Sequence, residues 1–72
     1  MYYLLEIDRF NDGSEEARAI YEKSSYDDAL LSLYSTMSFA MQNPKIDNVV
    51  CAILNREGFT ERREYWENRP EE

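Results

Sequence analysis

The sequence has no histidine, one cysteine (Cys51), two glycines and two prolines among its 72 residues. Each shortage closes off a class of chemistry. Without histidine there is no Ser-His-Asp or Cys-His arrangement, no imidazole ligand for a metal and no zinc-protease motif. A single cysteine forms no intrachain disulfide and fits a reducing cytosol. Gly13 and Gly58 both sit in turn-like stretches, so no glycine-rich loop is left to cradle a phosphate or a dinucleotide. Long apolar runs are missing too. The opening MYYLLEIDRF meets a charge at Glu6, is too short to span a membrane and lacks the basic start of a signal peptide. The expectation is a cytoplasmic protein with no metal and no cofactor.

Positive charge is also scarce. Fifteen acidic residues face eight basic ones, for a net −7. The excess is concentrated early: residues 1–28 carry eight acids and three bases, residues 29–72 seven and five. This balance argues against direct binding to a nucleic-acid backbone, whose footprint is a basic patch, and against anionic membrane surfaces. An acidic surface serves solubility. It also resembles phosphate charge, which a basic partner protein would recognise.

What the chain does contain is one small domain's worth of apolar periodicity. Residues 2–10, YYLLEIDRF, alternate as a strand, with Tyr3, Leu5 and Ile7 on one face and Tyr2, Leu4 and Phe10 around Glu6 and Asp8 on the other. Asn11-Asp12-Gly13-Ser14 is a turn. Residues 15–23 return as a second strand, small and charged enough for an exposed edge. Ser24 or Ser25, followed by Asp27 and Asp28, caps a helix predicted from about Tyr26 to Gln42 and stopped by Asn43-Pro44. Ala29 to Gln42 carries no charge in a chain that is 32% charged. Tyr26, Ala29, Leu30, Leu33, Tyr34, Met37, Ala40 and Met41 form its predicted core stripe. Asp47 to Asn55 is an apolar central strand, the region around Gly58 a second hairpin turn, and residues 59–66 a fourth strand.

Chain direction then gives the topology. The third strand runs antiparallel to the first and pairs with it, so the expected fold is α+β, ββαββ, a four-stranded antiparallel sheet of order 2-1-3-4 with one helix across one face. A helix of that length rises about 25 Å, close to the span of strands of seven or eight residues. The single domain is predicted over residues 1–67, with a polar tail at 68–72. Cys51 falls inside the apolar strand and reads as an inert small hydrophobe.

Paired carboxylates can act without histidine, but Glu6 with Asp8, and Glu61 with Glu64, come with no evident deep apolar pocket, and solvated ion pairs explain them. The reading is therefore non-enzymatic. The anomalies are apolar surfaces. Opposite the predicted core stripe the helix presents Leu31, Ser35 and Phe39, and hiding Leu31 and Phe39 is worth roughly 2 kcal/mol each. The sheet face away from the helix is the second anomaly, expected to hold Tyr2, Leu4 and Phe10 with Tyr65 or Trp66 nearby, beside either Val50 and Leu54 or Val49 and Ile53.

The opening Tyr2-Tyr3-Leu4-Leu5-Glu6-Ile7, the turn Asp12-Gly13-Ser14, the Met-containing helix, and Gly58 ahead of Glu64-Tyr65-Trp66 together resemble a group of small uncharacterised proteins of phages and integrated mobile elements in Gram-positive gut bacteria. The resemblance covers most of the chain. It implies a bacterial or phage cytosol and assigns no functional residue.

Two functions follow. The first is a protein-interaction module, most simply a homodimer, formed through the helix outer face or the open sheet. The second is an acidic decoy that occupies the nucleic-acid site of a basic host protein through Glu6, Asp8, Asp12, Glu15, Glu16 and Glu22. Base stacking on an aromatic sheet ranks lower, because the charge opposes approach of RNA.

Overall fold

The structure is a computed structural model that describes residues 1–68, apart from the side chains of Ile20 and Tyr21. Of the predicted polar tail, residues 69–72 lie outside the described residues. The elements are β1 (Tyr2–Phe10), β2 (Glu15–Lys23), α1 (Tyr26–Met41), β3 (Ile46–Asn55) and β4 (Thr60–Glu67). The strands form one antiparallel sheet of order β2-β1-β3-β4, and the helix packs across one of its faces.

Local chemistry closes each connection. In the β1–β2 turn the Asp12 carboxylate accepts from the Ser14 N–H at 2.9 Å and from its hydroxyl at 2.6 Å, while Gly13 takes φ +89°. That left-handed conformation costs a residue with Cβ more than it costs glycine. Ser25 is the residue that caps the helix, its Oγ accepting from the Asp28 N–H at 3.1 Å. The helix exit is tied to the first turn: Asn11 donates from its backbone N–H to the Lys45 carbonyl and from its side chain to the Pro44 carbonyl. In the β3–β4 turn Gly58 again takes φ +89°, and the Asn55 side-chain oxygen accepts from the Glu57 and Phe59 N–H groups. Phe59 is thereby held in the turn with its ring exposed, and β4 begins one residue later than its apolar character suggests.

The core is narrower than the helical periodicity implies. Ala29, Leu33, Met37 and Ala40 are buried against Leu4, Ile46, Val49, Cys51 and Ile53, with Tyr2, Phe10, Tyr26, Leu30 and Trp66 packed around them. Tyr34 and Met41, predicted in the core stripe, are instead about half exposed. They lie on the flanks of the stripe, where a single sheet curves away from the helix. Tyr34 finds a use there. Its hydroxyl accepts from Arg62 Nη2 at 2.7 Å and its ring lies 5.7 Å from that guanidinium, fastening α1 to the β4 edge.

The main correction concerns which face of β1 is inside. Tyr2, Leu4 and Phe10, expected on the open face, point to the helix, and Leu4 is only 1% exposed. Trp66 packs against the core as well. Glu6 and Asp8 go in with them, at 2% and 5% exposure, and so cannot serve as an exposed acidic contact. The rule that the face bearing acids turns outward fails here because the acids find a cation on β2. Arg18 Nη2 lies 2.8 Å from Glu6 Oε1 and 4.0 Å from Asp8 Oδ2. The other predicted acidic contacts, Asp12, Glu15, Glu16 and Glu22, are exposed.

Candidate interface on the open sheet face

Inverting β1 changes what the open face is made of. Register places four strands' outward residues in four cross-strand rows. Two rows are nearly uncharged: Ala19-Leu5-Ala52-Arg63, then Ala17-Ile7-Val50-Tyr65. Above them lies Glu22-Tyr3-Leu54-Thr60, and below them Glu15-Arg9-Asn48-Glu67. The apolar centre extends through Tyr3 and Leu54 into the upper row, with Glu22 and Thr60 at that row's ends and the polar row Glu15-Arg9-Asn48-Glu67 below.

The elements that position this surface are the two central strands, β1 and β3, both of which carry apolar residues on their outward face. Leu5, Ile7, Val50 and Leu54 are half-buried by their neighbours on the same face, while Tyr3 and Tyr65 remain exposed. The small residues Ala17, Ala19 and Ala52 keep one side of the patch low, which suits close approach of another flat surface. At the rim Arg9 pairs with Glu15 at 3.1 Å and donates to the Asn48 side chain at 3.2 Å. Tyr65 donates from its hydroxyl to Glu67 at 2.9 Å, and that acceptor raises the phenol above its ordinary pKa.

Charge separates this face from the rest of the chain. Glu15, Glu22 and Glu67 are offset by Arg9 and Arg63, for a net −1, whereas the whole chain carries −7. Four strands at about 4.8 Å spacing and rows at about 6.8 Å give a footprint on the order of 500 Å² before surface relief is counted. Two such faces contribute about 1,000 Å², the lower end of specific protein interfaces.

The helix supplies the second apolar surface. Leu31 and Phe39 are the two most exposed large apolar residues, at 70% and 72%, with exposed Ser35 one turn from each. They are two turns apart with only small polar residues around them, so they form a thin line where the sheet forms a surface. Of the interface candidates read from the sequence, Leu31, Ser35, Phe39 and Tyr65 are therefore exposed, whereas Leu4 is buried and Tyr2, Phe10 and Trp66 are partly buried against the core. Of the two alternatives for β3, Val50 and Leu54 face outward, and Leu5, Ile7 and Ala52 were missed as residues of this face. The available signal was the run Tyr3, Leu5, Ile7, which has no charge on its face before Arg9.

Cys51 is fully buried, and its thiol is pushed up to about 12 by burial first and then by the negative charges of Glu6 and Asp8. It is a neutral thiol at physiological pH. A shallow groove lined by Phe10, Asn11, Asp12, Ser14 and Lys45 lies beside the first turn, where Asp12 is already engaged by Ser14, which holds its carboxyl below the usual range. No cluster of three or more potential metal ligands occurs among the described residues, and no described helix is long and apolar enough to cross a membrane. No protein-family model, curated protein or solved structure matches this chain.

Proposed function

We propose that this protein is a self-associating interaction module in which two copies pack open sheet face against open sheet face. The observation that carries the reading is the nearly neutral apolar surface in a chain of net charge −7. Two copies repel each other wherever their acidic surfaces meet. Repulsion is least where each presents a net −1, and the Arg9 and Arg63 side chains of one copy can then meet rim carboxylates of the other. Aligned sheet-on-sheet packing, with layers about 10 Å apart, is the geometry such a face adopts. The helix line of Leu31 and Phe39 is left outside this contact.

The decoy reading loses its centre, because Glu6 and Asp8 are withdrawn from the surface and only Asp12, Glu15, Glu16 and Glu22 remain exposed. The cytosolic, phage or mobile-element setting is compatible with the self-associating module and takes no part in the argument for it.

Light scattering on purified protein at micromolar concentration tests the proposal. The expected result is twice the monomer mass for the wild type, falling to the monomer mass in Ala17→Arg, which places a bulky charge on an exposed small residue of the face. Phe39→Asp, on the helix, is expected to keep the double mass. A monomeric wild type, or loss of the dimer in Phe39→Asp but not in Ala17→Arg, refutes the sheet-face assignment.

A further inference from the structure

Glu6 and Asp8 are neighbours on the inner face of β1, and their surroundings do not balance two charges. Among the described residues Arg18 is the cation that ion-pairs with them, and its side chain is 57% exposed. It donates from Nε to Glu6 Oε1 with Nη2 2.8 Å from the same oxygen, leaving Asp8 at the 4.0 Å margin of an ion pair. Asp8 Oδ1 is fully buried and has no hydrogen-bond partner. A buried carboxylate oxygen without a donor carries the full desolvation penalty of that group. Glu6 lies two residues from Asp8 on the same buried strand face, and both approach the same guanidinium.

We infer that Glu6 and Asp8 are folded around one shared proton, carried by Glu6 and donated to Asp8 Oδ1, and that loss of this proton is a pH-sensitive switch on the stability of the fold. The proton supplies the donor that Asp8 Oδ1 lacks. It also reduces the pair to a single negative charge, which one guanidinium can match. Two carboxylates at one site cannot both ionise freely, and in such pairs one holds its proton to higher pH.

The groups that face the pair agree with this assignment. From β2 come Arg18 and, at the register position beside Asp8, the exposed Glu16. From β3 come Cys51 beside Glu6 and Val49 beside Asp8, with Glu64 of β4 beyond Cys51 in the same row. The buried residues of the helix are Ala29, Leu33, Met37 and Ala40, none of them ionisable, with Tyr26 partly buried beside the core. Burial is the largest influence on Glu6 and raises its pKa; the Arg18 hydrogen bond opposes it, and Asp8 adds to it.

The sign follows from proton counting. A carboxyl held above its unfolded value binds more proton in the native chain, so its contribution is complete below the unfolded value and is lost as pH rises through the folded one. Across that window the folding equilibrium constant falls by up to tenfold per pH unit. The chain has no histidine to titrate in that window, and the Cys51 thiol is displaced to about 12.

Two measurements on the full chain test the inference. The Glu6 side-chain carboxyl, followed by carbon-13 NMR, is expected to titrate at higher pH in the native protein than in the same chain unfolded in urea. Urea unfolding from about pH 5 to about pH 8 is expected to show stability declining with pH in the wild type. Glu6→Gln, whose amide can donate to Asp8 while its carbonyl accepts from Arg18, is expected to flatten that decline. A Glu6 midpoint at or below its unfolded value overturns the inference, as does an undiminished decline in a folded Glu6→Gln protein. If that variant fails to fold, the NMR titration of the wild type decides the matter alone. The NMR titration does not depend on dimerisation through the opposite face of the sheet, and the urea series is compared at one fixed protein concentration.

Discussion

Replacing Arg18 by Met removes the cation that ion-pairs with two buried carboxylates and retains a side chain of similar length. Removing one partner of a fully buried pair typically costs about 3–5 kcal/mol, because the remaining charge stays buried. Arg18 is more than half exposed, so solvent already screens its half of the interaction. The expected loss is therefore about 1–2 kcal/mol. For a domain of this size, with total stability of roughly 4–11 kcal/mol, that lowers the melting temperature by about 5–15 °C. The loss must also depend on pH. While the proton is shared, one negative charge is left unmatched; as pH rises, from about 5 toward about 8, the proton is lost and the cost grows. Urea denaturation at both pH values, for wild type and Arg18→Met, measures the difference. An equal loss at both would mean that the Arg18 stem contributes through packing alone, and the electrostatic reasoning would be refuted.

Other expectations follow from the core and its thiol. Leu33 is completely buried between helix and sheet. Leu33→Ala is therefore expected to cost roughly 2–5 kcal/mol in urea unfolding, a large part of the total, and a loss under about 1 kcal/mol would mean that the helix packs less tightly than described. Cys51, buried and with a thiol pushed up to about 12, is expected to resist alkylation in the native protein near pH 8 and to react fully in urea, as mass spectrometry would show. Rapid labelling of the native chain would contradict that burial.

The elements themselves were legible because their signals are local. Asp12-Gly13-Ser14 forms its turn through contacts two residues apart, Ser25 caps the helix three residues ahead, and Asn43-Pro44 ends it. A helix of α+β type over an antiparallel sheet follows from those breaks and from the apolar run at β3. The face assignment was not legible, and with it the candidate site. Val49, Cys51 and Ile53 are as apolar as Val50, Ala52 and Leu54, so β3 cannot say which side is core. On β1 the visible clue, Glu6 and Asp8, pointed the wrong way. Register was no more local: the bulges at Leu4/Leu5, Arg9/Phe10 and Ile53/Leu54 are set by how whole strands fit together.

The sequence by itself determined the turns, the region of the cap, the helix with its charge-free stretch from Ala29 to Gln42 and the chemistry that is excluded, since each depends on residue type or on neighbours a few positions apart. Only the tertiary structure decided that Arg18, twelve residues from Glu6 along the chain, crosses from β2 to hold that acid inside. That contact turns Leu4 toward the helix and Leu5 and Ile7 away from it. Period-two alternation offers a strand two faces, and it is the partners waiting on each side that choose between them.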